Sequence, residues 1–77
     1  MKPVSAIDRY AIKKVKQRRE ELGYSQLDLS YELDVSSSYI GQVESENYKT
    51  RYSLERLNQI AKILKCSVRE FLPDKPL

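Results

Sequence analysis

Residues 25–44 read SQLDLSYELDVSSSYIGQVE, a pattern of two short helices joined by a tight break. Ser25 is a favourable N-cap for a short helix whose apolar face ends at Leu33. After a break at Asp34, a residue type that tolerates turn conformations, helical spacing resumes and predicts a helix over 36–45. Because only about three residues separate the two helices, they must cross at a large angle.

Helix signals flank this stretch on both sides. A stripe of apolar residues, interrupted by Arg18, predicts a first helix, which Gly23 ends because glycine readily adopts the left-handed cap conformation. Beyond a loop over 46–52, Ser53 caps a fourth helix, and Ser67 begins a short fifth helix. The apolar positions of these outer helices are Ile7, Ala11, Val15 and Leu22, and Leu54, Leu57, Ile60, Ala61 and Leu64. The sequence therefore predicts an all-α fold, a compact bundle of five short helices without strands.

Composition limits the classes of function. The chain has 77 residues, of which 40% are hydrophobic and 32% charged, so we expect a single domain over 1–77 with a short C-terminal tail at 73–77. It has one cysteine, Cys66, and no histidine. A Cys/His zinc site and a histidine base are therefore excluded, and we expect no enzyme activity, no cofactor and no metal. Without a signal peptide or a membrane-length apolar run, we expect a cytoplasmic protein with no membrane contact.

The charge distribution favours an anionic partner but restricts where it can bind. The net charge is +3, made up of +4 over residues 1–24, −4 over 25–45 and +3 over 46–77. The central helices are acidic, and both flanks are basic. Cations that hold an anionic partner must therefore come from outside the two central helices.

The stretch RREELGYSQLDLSYELDVSSSYIGQVESE, followed by SLERLNQIAKILKCSVREFL, resembles the Cro/C1-type (XRE, phage-repressor-like) helix-turn-helix family. The resemblance covers about residues 8–72. Its pattern consists of Arg19, Gly23, Ser25, Gln26, Leu29, Leu33, Val35, Ser36, Tyr39, Ile40, Gln42, Val43, Glu44, Leu54, Leu57 and Ala61. It implies sequence-specific binding of double-stranded DNA by a transcriptional regulator that carries helix 36–45 in the major groove.

The resemblance also assigns site residues. Base-reading positions fall on Ser36, Ser37, Ser38 and Gln42, and the helix-two glutamine of the family falls on Gln26. Serine keeps a recognition helix thin, and Ser36 is expected mainly to cap it. Glutamine pairs bidentately with adenine, which contributes about 1–3 kcal/mol of base discrimination. An ion pair between Arg19 and Glu44 is implied as a brace between the first and third helices. The residues expected to bind phosphates are Ser25, Tyr39, Asn47, Lys49 and Arg51.

Several positions leave alternatives open. Where the family often has glycine, this chain has Asp34, Glu46 and Lys65, and we expect Asn47 to take the left-handed conformation near Glu46. Plain capping or a solvated surface is the simpler interpretation of each serine and of Gln42. For the basic run Lys13, Lys14, Lys16 and Arg18, a solvated helix face is favoured over DNA contact.

One recognition helix spans only a few base pairs, so we expect a homodimer on a palindromic operator. The candidate dimer surfaces are Val68, the tail Asp74–Leu77 and the exposed apolar pair Leu27 and Tyr31. The alternative function is a protein-interaction module on the same fold, antitoxin-like or adaptor, with weak or no DNA affinity. The acidic central segment favours this alternative.

Overall fold

The computed structural model describes residues 4–77. Within this range the chain forms four α-helices and a terminal 3-10 helix, and no strand. The elements are α1 (Ala6–Glu21), α2 (Gln26–Glu32), α3 (Tyr39–Glu44), α4 (Leu54–Ile63) and the 3-10 helix Val68–Phe71. The predicted all-α class is confirmed, whereas the prediction of five α-helices is wrong. Nowhere in 4–77 is a helix both long and apolar enough to traverse a bilayer.

The fifth predicted helix is a single 3-10 turn because its hydrogen bonds close early. Ser67 Oγ accepts from the backbone N–H of Arg69 at 3.2 Å rather than from that of Glu70. The Glu70 N–H instead donates to the Ser67 carbonyl, three residues back. Pro73 disfavours a helical conformation at Leu72, which is extended with φ −117° and ψ 146°. The segment therefore ends after four residues.

Serine side chains cap the starts of α1, α2 and α4. Ser25 and Asp28 form a complete capping box, in which each side chain accepts from the backbone N–H of the other at 2.9 Å. The Ser25 N–H holds the pKa of the Asp28 carboxyl below its usual value, and the Ser25 hydroxyl adds to this effect. Ser53 caps α4 as predicted, and Ser5 caps α1 in the same way without having been predicted.

Three residues adopt the left-handed conformation that the helix ends require. Gly23 has φ 77°, Asp34 has φ 58° and Lys65 has φ 57°. The prediction for Asn47 is wrong, since its φ is not positive. The chain leaves α3 through Ser45, which is extended, and the Ser45 hydroxyl accepts from the Asn47 N–H at 3.2 Å. This local turn makes a left-handed residue unnecessary there.

The core lies between the helices and is sealed by the 3-10 segment. Its fully buried large side chains are Val15, Leu29, Ile40, Ile60, Leu64 and Phe71. Ile7, Leu22 and Leu54, which were expected on apolar faces, are 47%, 41% and 69% exposed. All three lie at helix ends, where the helices extend beyond the core. Cys66 is half-buried against the core, and burial raises the pKa of its thiol, which weakens it as a nucleophile.

Arg18, the charged residue within the apolar stripe of α1, caps another helix. Its Nε donates to the Leu64 carbonyl at 3.1 Å, and its Nη2 donates to the Lys65 carbonyl at 3.3 Å. These carbonyls end α4, where the helix dipole favours a positive charge. Arg18 therefore ties α1 to α4 and is not part of a free basic surface.

Candidate nucleic-acid interface

The candidate base-reading surface is the outward side of α3 and the turn that precedes it. The side chains of Ser36, Ser37 and Ser38 are exposed, and Gln42 is partly exposed. Gln42 Nε2 lies 3.4 Å from Ser38 Oγ, as expected for residues one helical turn apart. The buried residues of α3 are Ile40 and Val43. The Oγ atoms of Ser36 and Ser38 are 3.4 Å apart, so the structure brings these two residues and Gln42 together on one accessible side, and Ser37 is exposed in the same turn.

The start of α3 differs from the prediction. The helix begins at Tyr39 rather than at 36, and its N-cap Ser38 makes no side-chain cap bond. The Tyr39 N–H donates to the Ser36 backbone carbonyl at 3.1 Å, so the capping role predicted for the Ser36 side chain is wrong. Buried Ser30 of α2 supplies a substitute, because its hydroxyl accepts from the Ile40 N–H at 3.3 Å. The serine hydroxyls of the turn are consequently not needed as caps.

Arg19 and Glu44 form a nearly fully buried ion pair between α1 and α3. Arg19 Nε and Nη2 donate to the two carboxylate oxygens at 3.0 and 2.9 Å, in a bidentate fork. The side chains are only 7% and 2% exposed. Arg19 Nη1 also donates to the Tyr24 carbonyl at 2.7 Å. This network fixes the orientation of α3 relative to the rest of the domain.

Gln26 at the start of α2 lies against the face of α3. Its Nε2 donates to Glu44 Oε1 at 3.0 Å, so it joins the ion-pair network. A Cβ at Gly41 would lie 3.1 Å from Gln26 Oε1, which is tighter than ordinary contact. The close packing of Gln26 therefore explains why position 41 in α3 is a glycine, although glycine lowers helix stability by about 1 kcal/mol relative to alanine. The contact holds the Gln26 amide beside the candidate base-reading surface.

The residues expected to bind phosphates differ in whether another group of the protein already engages their side chains. Asn47 and Lys49 are exposed in the loop after α3. Arg51 forms an ion pair with Asp8 of α1, with Nη1 and Oδ2 3.1 Å apart. The Ser25 hydroxyl accepts a cap bond, which leaves its own O–H available as a donor. A phosphate at Arg51 must therefore compete with a carboxylate, whereas one at Lys49 need not.

Tyr39 is packed more tightly than its predicted role requires. The centroids of the Tyr39 and Tyr52 rings are 6.2 Å apart. The guanidinium of Arg56, a residue of α4, lies 5.3 Å from the centroid of the Tyr39 ring. The Tyr52 hydroxyl is buried and has no hydrogen-bond partner in residues 4–77. Burial, reinforced by the nearby Glu44 carboxylate, raises the pKa of Tyr52. The two tyrosines thus link α3 to the beginning of α4.

Three contributors to the site were not predicted: Ser30, Arg56 and Asp8. Each acts on a residue at least ten positions away in the chain. Helical spacing reports which residues share a face, but it carries no signal for contacts between distant elements. In residues 4–77, no group of three or more His, Cys, Asp or Glu side chains is arranged to hold a metal.

Comparisons with known proteins give consistent matches. A family model described as helix-turn-helix matches residues 15–71. The HTH-type transcriptional regulator SinR of Bacillus subtilis (strain 168) is 34% identical over 62 residues, which cover 80% of this chain and 55% of SinR. This chain thus spans about half the length of the curated relatives that it matches.

Two solved structures extend the comparison. The N-terminal DNA binding domain of SinR from Bacillus subtilis has a TM-score of 0.70 at 30% identity, covering 90% of this chain and 99% of that chain. A structure of SinR, described as the master regulator for biofilm formation, in complex with DNA has a TM-score of 0.66 at 33% identity. That match covers 79% of this chain and 98% of the SinR chain.

Proposed function

The chain belongs to the helix-turn-helix family, of the Cro/C1 type, and from this premise we propose that it is a DNA-binding transcriptional regulator. The observation that carries the proposal is the accessible side of α3 and of the turn before it, where three exposed serines precede the partly exposed Gln42. The SinR structure in complex with DNA supports the same partner class for this chain. An α-helix of this kind fits the major groove of B-DNA.

In the proposed complex, Gln42 supplies most of the direct base readout. Its Nε2 can donate to adenine N7 while its Oε1 accepts from the adenine N6 amino group, once the weak 3.4 Å contact with Ser38 is released. This bidentate arrangement distinguishes A·T from the other pairs. Ser36, Ser37 and Ser38 add short hydroxyls that donate or accept, and they discriminate less because each can bond several bases. Gln26 contributes at the edge of this surface, mainly by fixing α3 through Glu44.

Phosphate contacts position the helix on either side of the groove. Lys49 and Asn47, in the loop after α3, bind phosphates of one strand, and Ser25 donates its free O–H to a phosphate of the other strand. Tyr39 contributes its hydroxyl. Arg51 joins them by exchanging Asp8 for a phosphate, an exchange with little cost because exposed ion pairs contribute only about 0.2–1 kcal/mol.

We further propose that the chain acts as a homodimer on a palindromic operator in the cytoplasm. A single α3 of six residues reaches too few base pairs for a useful specificity ratio. Leu27 and Tyr31 on α2, which are 58% and 80% exposed, are one candidate dimer surface. Val68 and the tail Asp74–Leu77 are the others. Occupation of the operator then blocks or recruits polymerase.

The same exposed pair favours the second candidate function, a protein-interaction module. Leu27 and Tyr31 line a groove together with Asp28 and Glu32, and the two carboxylates repel DNA from this side of α2. An antitoxin-like or adaptor role would use this groove for a protein partner and would leave α3 without a duplex.

Salt dependence separates the two functions. A labelled random-sequence duplex is titrated with the purified chain between 50 and 200 mM salt, and fluorescence anisotropy measures the affinity. A DNA-binding regulator loses affinity steeply as the salt concentration rises, because counterion release then becomes less favourable. The slope of log affinity against log salt concentration is about −0.9 for each phosphate contacted. Absence of duplex binding even at the lowest salt concentration rejects the DNA-binding function and leaves the interaction module.

A further inference from the structure

A basic cleft lies between α1 and the loop after α3. It has a volume of about 430 Å³ and opens to solvent on one side. Four cationic side chains line it, Arg9, Lys13 and Lys16 from α1 and Lys49 from the loop. Its remaining wall includes Ile12, Val43 and Tyr48. The cleft therefore combines a positively charged rim with a partly apolar floor.

The structure divides the basic run of α1 into members with different roles. Arg18 caps α4, and the Lys14 ammonium lies 5.6 Å from the centroid of the Tyr10 ring. Lys13 and Lys16 instead line the cleft, together with Arg9. The spacing of these three is i, i+4 and i+7, so they share one face of α1. The run is therefore not a uniform solvated face.

The cleft cations outnumber the carboxylates around them and form no close ion pair. None of Arg9, Lys13, Lys16 and Lys49 forms an ion pair with a carboxylate within residues 4–77. Of the two acidic residues that line the cleft, Glu44 is neutralised by Arg19, which leaves Glu46. Like charges at i, i+3 and i, i+4 destabilise a helix. An external anion with several charges relieves that repulsion.

The position of the cleft indicates which anion. Its wall continues from the end of α3 through Val43, Glu44, Ser45 and Glu46 to Lys49. A duplex that receives α3 in its major groove carries the flanking strand past this end of the helix. The α1 face from 9 to 16 extends about 10 Å, so its three long basic side chains can reach neighbouring phosphates of one strand.

We propose that this cleft is a second backbone-binding site, in which Arg9, Lys13 and Lys16 of α1 bind consecutive phosphates of the DNA strand next to Lys49. The proposal rests on the DNA-binding function and extends its phosphate contacts to α1. The apolar floor receives the deoxyribose edge of the same strand. Contacts of this kind position the protein and do not distinguish sequences.

The test compares two double variants of the full chain. Lys13→Gln/Lys16→Gln removes two cleft charges and keeps strong helix formers, whereas the control Lys14→Gln/Lys62→Gln removes two charges that do not line the cleft. Affinity for one specific and one random duplex is measured from 50 to 200 mM salt. The slope of log affinity against log salt concentration is expected to be about 1.8 smaller in magnitude for the cleft variant than for the wild type. Between 50 and 200 mM salt, the affinity of the variant therefore falls by roughly tenfold less than that of the wild type, and this difference is the same for both duplexes. The control keeps the wild-type slope.

The other outcomes overturn the proposal. If the wild type binds duplex and the cleft variant, folded by circular dichroism, keeps the wild-type slope, α1 contacts no phosphates while the DNA-binding function stands. If the wild type binds no duplex, both fail. If inorganic pyrophosphate shifts the NMR amide signals of residues 9–16 at millimolar concentration and a duplex leaves them unchanged, the cleft serves a small phosphate ligand instead.

Discussion

Gln42 is the single side chain on which sequence preference depends most in the proposed complex. Gln42→Ala is expected to cost about 1–3 kcal/mol on the preferred duplex and to relax preference at one base pair, because the bidentate contact with adenine is lost. Competition binding against duplexes substituted at each position measures this. Gln17→Ala, an exposed change on α1, is the matched control. Equal losses on preferred and random DNA for Gln42→Ala contradict a base-reading role.

Tyr52 carries a buried hydroxyl without a partner in the described chain, which costs stability. Tyr52→Phe is therefore expected to leave the free energy of unfolding unchanged or to raise it by up to about 1 kcal/mol. Urea denaturation followed by circular dichroism provides the measurement. A loss of more than about 1 kcal/mol contradicts the unpaired state of this hydroxyl, because it would mean that a hydrogen bond had been removed.

Asp8 holds Arg51 away from the phosphate that we assign to it. Asp8→Asn removes the charge from the 3.1 Å pair and also reduces local repulsion of DNA, so duplex affinity is expected to rise severalfold at low salt. Anisotropy titrations compare it with Glu55→Gln, an exposed acidic position in the first turn of α4. Unchanged affinity for Asp8→Asn, or an equal gain in the control, assigns Arg51 no phosphate contact.

At the scale of the elements, residue pattern predicted the helices whose signals are local. Ser25 marked the start of α2, Ser53 marked that of α4, and Gly23 ended α1 with the left-handed conformation. The start of α3 could not be predicted in the same way. Its N–H groups are satisfied by the Ser36 carbonyl and by Ser30 of another helix, which only the tertiary structure brings together.

The Arg19–Glu44 pair is the contact that determines the orientation of α3. Removal of either partner leaves a buried charge, so Arg19→Met and Glu44→Leu are each expected to cost about 3–5 kcal/mol. The double variant is expected to recover most of that loss, because a well-packed apolar pair substitutes for a buried ion pair at little cost. Urea denaturation of all four proteins completes the cycle, and strictly additive losses contradict the pairing.

At the scale of the whole molecule, the net charge and its distribution indicated an anionic partner but not where it is held. Charge counting treated Lys13, Lys14, Lys16 and Arg18 alike. In the structure Arg18 bonds to the end of α4, Lys14 lies over Tyr10, and Lys13 and Lys16 line the cleft beside the loop after α3. The candidate base-reading positions could be assigned from the sequence because the helix-turn-helix resemblance aligns them, whereas the cleft depends on the path of a loop without helical periodicity.

The dimer is a further prediction for the whole molecule, and it follows from the specificity that binding to an operator requires. A six-residue α3 serves one half-site, so two copies are required for a palindrome with half-sites about one helical turn apart. The exposed pair Leu27 and Tyr31 offers one surface on which such a pairing can be built.

Selection of bound fragments from a random duplex library, carried out in parallel with the wild type and with Gln42→Ala, tests whether α3 reads the DNA sequence. The wild type is predicted to enrich a symmetric site, and the variant is predicted to enrich the same site with one position per half relaxed. Failure of the wild type to enrich any sequence, or an identical site for both proteins, contradicts the assignment of the exposed side of α3 as the surface that reads DNA.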